Sequence, residues 1–329
     1  MAAINNLLGR YYYPDNTNLP IILILHGWDG GLEGITDATM KRIGDHGAFI
    51  CNIAMRGRNG ANGAMDASGR EIYDIYDALQ YVITNHAAVV DATRVAVWGY
   101  SGGGGNVLAA LCKFPDTFTV GVDFFGISDY GRDATDGWYQ QDGSLTIGDR
   151  VGGTPVEVPN NYYARDATVA ITNFTGGHLY MYHDTTDITV LPVHSTRIKG
   201  AFDTALMTNY TLTSPENLGH GYPDGVPARI APEEALVTAL AGSTPWTIAA
   251  AATITVIGYI KTKRFTIWLN TNGTAIKGID AVATVAYNIA TDAYTVTPLT
   301  TGGIDVAITQ GVKTGTATNI TEATIITVT

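Results

Sequence analysis

The chain has 329 residues, 46% of them hydrophobic and 15% charged, enough apolar material for a sizeable core and too much for disorder. Its formal net charge is −11 and no cluster of Lys and Arg interrupts that balance, which argues against a phosphate-backbone or nucleic-acid partner. Two cysteines, Cys51 and Cys112, are too few for a disulfide framework; both lie in apolar surroundings and read as small buried hydrophobes.

In chain order, the start Met-Ala-Ala-Ile-Asn-Asn lacks a basic region followed by an apolar stretch, so no signal peptide is expected. The longest apolar stretches are strand-sized, well short of the roughly 20 residues that span a bilayer. A soluble protein without a membrane partner is expected, either cytoplasmic or virion-associated. An apolar run at 21–26 ends in a glycine-rich loop, and a second at 48–54 ends at Met55-Arg56-Gly57. Over 69–84, Ile72, Ile75, Tyr76, Leu79 and Val82 fall on one helical face. A third run, 94–98, is closed by Gly99; a small-residue helix opens around 107–111, and a fourth run follows at 120–125. A fifth run at 179–182 precedes a helix at 196–207 and a short strand at 210–213. A closing helix is expected at 232–240, with Pro232 in its first turn and Gly242 past its end.

Near-continuous apolar strands alternating with helices predict a mostly parallel sheet covered on both faces, with reactive groups on loops beyond the strands' carboxyl ends. The stretch 129–177 breaks this rhythm. It is rich in Gly, Asp, Tyr and Pro and too long for an ordinary loop, which reads as a cap over the site. After Gly242-Ser243-Thr244-Pro245 the composition changes to Thr, Ala, Ile and Val. Period-two alternation appears at 265–269 and 294–297, and turns are signalled at Asn272-Gly273 and Gly302-Gly303. From 247 onward, five basic residues meet four acidic ones, so the negative charge belongs to the first part of the chain. The expected organisation is a catalytic domain over 1–243 and a β-sandwich-like accessory domain over 246–329.

The strongest motif is Gly99-Tyr100-Ser101-Gly102-Gly103, between a strand and a helix. A nucleophile elbow needs that context, because its strained turn tolerates only small residues two positions either side of the serine. The spacing fits neither the P-loop nor the dinucleotide fingerprint. The fold class is therefore α/β hydrolase with Ser101 as candidate nucleophile. A serine hydroxyl needs a base and an orienting acid, in the chain order Ser, acid, His. His220, flanked by Gly219 and Gly221, is the candidate base; His194 reads as solvated or capping at a helix start. For the acid, Tyr182-His183-Asp184-Thr185-Thr186-Asp187 offers Asp184 and Asp187, with nothing in the spacing to separate them. Oxyanion-hole donors are expected at the N–H groups of Gly102 and Trp28, with Gly27 as second choice to Trp28. His26, directly after a buried strand, reads as structural. Tyr100, Trp138 and Tyr139 are candidate substrate contacts, and no cofactor or metal is expected.

Together these residues resemble the catalytic domain of the prolyl oligopeptidase family, including acylaminoacyl-peptidase-like and esterase members. The resemblance covers about residues 7 to 242. It rests on the elbow, Pro20-Ile21-Ile22-Leu23-Ile24-Leu25-His26-Gly27, Arg56-Gly57, Val90-Asp91-Ala92-Thr93-Arg94-Val95, Phe114-Pro115-Asp116-Thr117-Phe118, Gly126-Ile127-Ser128-Asp129 and Gly152-Gly153-Thr154-Pro155. The family's acid motif, H-G-x-x-D-x-x-V, appears as His183-Asp184-Thr185-Thr186-Asp187-Ile188-Thr189-Val190, which implies Asp187 as the acid although Asp184 stands where glycine is usual. The family's peptidases carry an N-terminal β-propeller for which this chain has no room, and no acidic pair for a free amino terminus is evident. Both departures favour hydrolysis of small carboxylic esters, including acetyl groups on carbohydrate. A peptidase is the alternative, and an inactive binding or virion protein that assembles or oligomerises through its Thr-rich C-terminal domain is another.

Overall fold

The computed structural model describes residues 8–142, 145–220, 227–271 and 279–329. The Asn272-Gly273 turn signal lies outside the described residues.

The first part of the chain runs β1 (Leu8–Tyr12), β2 (Leu19–Leu25), α1 (Asp37–Gly44), β3 (Phe49–Ala54), α2 (Ile72–Asn85), β4 (Val90–Tyr100), α3 (Gly102–Lys113) and β5 (Val120–Phe124). Helices α4 (Trp138–Asp142), α5 (Leu145–Val151) and α6 (Pro159–Tyr163) follow within the 129–177 excursion. Then come β6 (His178–Tyr182), α7 (Val193–Thr204), β7 (Tyr210–Thr213) and α8 (Pro227–Ala241). The seven strands form one sheet in the order β1-β3-β2-β4-β5-β6-β7, parallel except for β1 against β3. Every residue of β2, β3 and β5 is buried, as expected when helices cover both faces of a sheet. Ile21, Leu23 and Leu25 face α2 and α3, whereas Ile22 and Ile24 face α1 and α8. The closing helix begins at Pro227, five residues ahead of its expected start at Pro232.

The remaining strands are β8 (Ala251–Ile257), β9 (Tyr259–Lys261), β10 (Thr266–Thr271), β11 (Val282–Asn288), β12 (Ala293–Pro298), β13 (Ile304–Gln310), β14 (Lys313–Ile320) and β15 (Thr324–Thr327). They make two antiparallel sheets, β15-β12-β11-β8 and β14-β13-β10-β9, which pack face to face over Val256, Ile267, Leu269, Val285, Val296 and Val306.

The join between the two parts is part of the core. Ile257, Tyr259, Ile279 and Val282 are buried in the same cluster as Leu108, Leu111 and Phe114 of α3 and the segment after it. Lys113, the last residue of α3, is fully buried; its ammonium donates to Ile257 O and lies 4.9 Å from the centre of the Tyr259 ring. Asn173 Nδ2 donates to Thr255 O at 2.7 Å and Arg165 Nη1 to Ile279 O at 2.8 Å. The Asp116 carboxylate accepts from the Lys263 N–H at 3.0 Å. The Lys113 and Asn173 contacts satisfy edge groups of β8 that would otherwise be open to pairing.

Candidate active site

Ser101 sits between β4 and α3 with φ 56° and ψ −123°, a left-handed conformation that a residue with a side chain rarely adopts. Small neighbours permit it. A Cβ on Gly99 would run into Gly103 O, and one on Gly103 into Leu25 O and His26 O. The turn throws the Ser101 side chain above the sheet's carboxyl edge and places it at the N-cap of α3, where the helix exposes unpaired N–H groups.

His220 reaches this serine from 119 residues away: Ser101 Oγ lies 3.0 Å from His220 Nε2. On the other side of the ring, Nδ1 donates to Asp187 Oδ2 at 2.7 Å. With Nδ1 the donor, the neutral imidazole presents Nε2 as acceptor to the serine hydroxyl, the tautomer that proton removal needs. Phe125 packs edge-on against the ring, with centroids 4.7 Å apart.

Asp187 is buried and accepts from the backbone N–H groups of Thr189 at 2.8 Å and Val190 at 3.1 Å. Burial alone would raise its pKa, but hydrogen bonds from His183 and His220 outweigh it and hold the carboxyl far below the usual carboxylate range. His183, also buried, donates through Nε2 to Val190 O at 2.8 Å and lies 3.5 Å from Asp187 Oδ2. Asp184 does different work. It accepts from Thr186 N at 2.7 Å and from Leu218 N at 2.6 Å, so it closes its own turn and ties down the loop that carries His220.

The Trp28 backbone abuts the residue after the serine: a Cβ on Gly102 would lie 2.7 Å from Trp28 N. A Cβ on Gly27 would stand 3.6 Å from Ser101 Cβ. The Gly102 and Trp28 N–H groups donate to no described residue, and two such donors on one side of the serine suit a developing oxyanion.

The remaining candidates fall in different places. Tyr100 is packed in the core rather than lining an open cleft: its ring stacks on Phe124 and its hydroxyl accepts from Trp98 Nε1 at 2.9 Å. Trp138 is buried with its ring edge-on to Trp28, centroids 6.2 Å apart, and Tyr139 is half-buried against Tyr162. His194 is not solvated. It is fully buried, its Nδ1 takes the Ser128 N–H at 3.2 Å, and burial lowers its pKa to about 3. His26 is buried and donates to Gly27 O at 2.9 Å. Among the described residues no group of three His, Cys, Asp or Glu is placed to hold a metal ion, and no helix is long and apolar enough to cross a membrane.

Sequence reasoning missed Arg150 and Asp184's hold on Leu218, because these residues meet their partners only through tertiary folding.

A sheet of this order, with Ser101, Asp187 and His220 on loops at its carboxyl edge, defines the α/β-hydrolase fold. Within it the chain belongs to the prolyl oligopeptidase family, whose description matches residues 47–235; the family consists of serine hydrolases. A cutinase, est2 from Thermobifida alba, is 31% identical over 113 residues, covering 33% of this chain and 35% of the cutinase. The acylaminoacyl peptidase of Pyrococcus horikoshii superposes with a TM-score of 0.59 at 20% identity, over 74% of this chain and 40% of the peptidase. Esterase B from Lactobacillus rhamnosis superposes with a TM-score of 0.57 at 15% identity, over 71% of this chain and 79% of the esterase. The chain thus spans well under half of the cutinase and peptidase it resembles, and the two structural likenesses speak for the fold.

Proposed function

We propose that the protein is a carboxylesterase that works through an acyl-enzyme. His220 removes the proton from Ser101 Oγ as the oxygen attacks the ester carbonyl carbon. Asp187 holds the imidazolium, and the Trp28 and Gly102 N–H groups receive the oxyanion. Collapse of the tetrahedral intermediate expels the alcohol, which takes the proton from His220. A water molecule then repeats the sequence on the acyl-enzyme and releases the acid. The observation that carries this reading is the Ser101 Oγ to His220 Nε2 distance of 3.0 Å, made by a serine held at positive φ.

Ester substrates are favoured over peptides by the likeness to a cutinase and by an esterase that this chain covers over 79% of its length. Small acyl groups, including acetyl esters of carbohydrate, are the substrates this reading favours; the Tyr130 and Trp138 rings are buried against Trp28 and carry no part of that preference. The second reading, a peptidase, is supported by the likeness to acylaminoacyl peptidase. Rates on p-nitrophenyl acetate and on an aminoacyl anilide separate the two. Ser101→Ala should lower kcat on the ester by several orders of magnitude, about 10⁶-fold for loss of a triad nucleophile, with the fold intact. Wild-type turnover in that variant would end the proposal.

A further inference from the structure

We propose that Arg150, on α5 of the 129–177 excursion, is a positioning residue for the oxyanion loop and clamps Trp28 and Asp29 in the geometry that aims the Trp28 N–H at the serine. The inference rests on the reading of Ser101 as nucleophile and Trp28 as donor. The loop after β2 needs an external hold. Asp29 adopts φ 58°, a left-handed conformation unfavourable for a residue with a side chain, and inside the loop Gly30 N donates to Gly27 O at 3.0 Å.

Arg150 supplies that hold from 121 residues away. Its guanidinium carbon lies 4.2 Å from the centre of the Trp28 ring. Nη2 pairs with Asp29 Oδ1 and lies 3.5 Å from Met65 Sδ. A planar guanidinium can stack on an indole and bond a carboxylate at once, which few side chains can do. Trp138 and Tyr130 pack on the same indole, with centroids 6.2 and 6.0 Å away, so its ring is boxed in by aromatic rings and the cation. Arg150 is 6% exposed and buried in this contact. It acts on the reaction through the backbone it fixes. The Trp28 N lies close enough to Gly102 that only glycine fits there, so a small displacement of the loop moves one of the two oxyanion donors.

The test uses the full chain with Arg150→Met, Arg150→Lys, Asp29→Asn and the Arg150→Met/Asp29→Asn pair. It measures p-nitrophenyl acetate kinetics and the rate of inactivation by a fluorophosphonate, whose tetrahedral adduct needs the same donors. Arg150→Met is expected to lower kcat by about 10- to 100-fold with KM within about twofold, and to slow phosphonylation by a similar factor. Arg150→Lys should recover part of the loss, because an ammonium can still sit over the indole and pair with Asp29. The double variant should lose little beyond Arg150→Met alone. Where Arg150→Met does not fold, judged by circular dichroism, Asp29→Asn tests the clamp from the loop side. A kcat within twofold of wild type in the folded variants, or a change confined to KM, overturns the proposal. Ser101→Ala in the same assays keeps the two readings apart: turnover there refutes the nucleophile, whereas a dead Ser101→Ala beside an unaffected Arg150→Met refutes only the clamp.

Discussion

Two aspartates three positions apart stand near the candidate histidine, and their surroundings divide the work. Asp187 Oδ2 takes the His220 Nδ1–H, while Asp184 takes the Leu218 N–H and closes a turn with Thr186. Asp187→Asn should therefore cost about 10⁴-fold in kcat, because the amide no longer fixes the imidazole tautomer. Asp184→Ala should act mainly on stability, at about 1–3 kcal/mol for a buried acceptor removed from two backbone donors, and leave most of kcat. Denaturant titration and steady-state kinetics on the two variants check this division. The reverse pattern would exchange the roles. Because hydrogen bonds depress the Asp187 pKa, its contribution to stability is present above the unfolded carboxylate value and is lost only as pH falls through its lowered folded value.

At the scale of elements, α3 is held at both ends. Its N-terminus backs Ser101 and its last residue, Lys113, is buried beneath Tyr259. Burial lowers the Lys113 pKa from its ordinary value to about 7. Between about pH 7 and the unfolded value near 10.4 the unfolded chain binds more protons at this site, so its effect on stability becomes more favourable as pH rises. Lys113→Met should match or exceed the wild type in stability at pH 7 and flatten the rise between pH 7 and 9, as read by urea unfolding at each pH; an unchanged slope would contradict it. What the sequence made legible follows the range of the signal. The elbow is local, with five consecutive residues that demand one turn, and the parallel strands announce themselves by apolar runs. Strand β1 was not legible because it is an edge strand with Gly9 and Arg10 in its middle and exposed Leu8 and Tyr11. Helix α1 makes only about two turns, and α4 to α6 have five to seven residues each, too short for a helical period to show. The contacts of Arg150 with Trp28 and Asp29 leave no trace in either local sequence.

For the whole molecule, the sequence suggested a β-rich accessory domain after the Gly242-Ser243-Thr244-Pro245 stretch. In the structure, Ile257, Tyr259, Ile279 and Val282 of that part lie inside the cluster that also holds residues of α2 and α3. Each fully buried side chain of this kind is worth about 1.5–3 kcal/mol, so the group is comparable to the entire stability of a typical domain. A chain ending at Thr244 should therefore aggregate or lose its cooperative unfolding transition and whatever turnover of p-nitrophenyl acetate the full chain shows; a soluble fragment with full turnover would show that the shared core is dispensable. The same arrangement orders events during synthesis. Lys113 must wait for Ile257, 144 residues further along the chain, before its ammonium has the carbonyl that receives it. The helix behind Ser101 thus cannot reach its final seat while those strands are still inside the ribosome, and the Lys113 contact forms only after Ile257 has emerged.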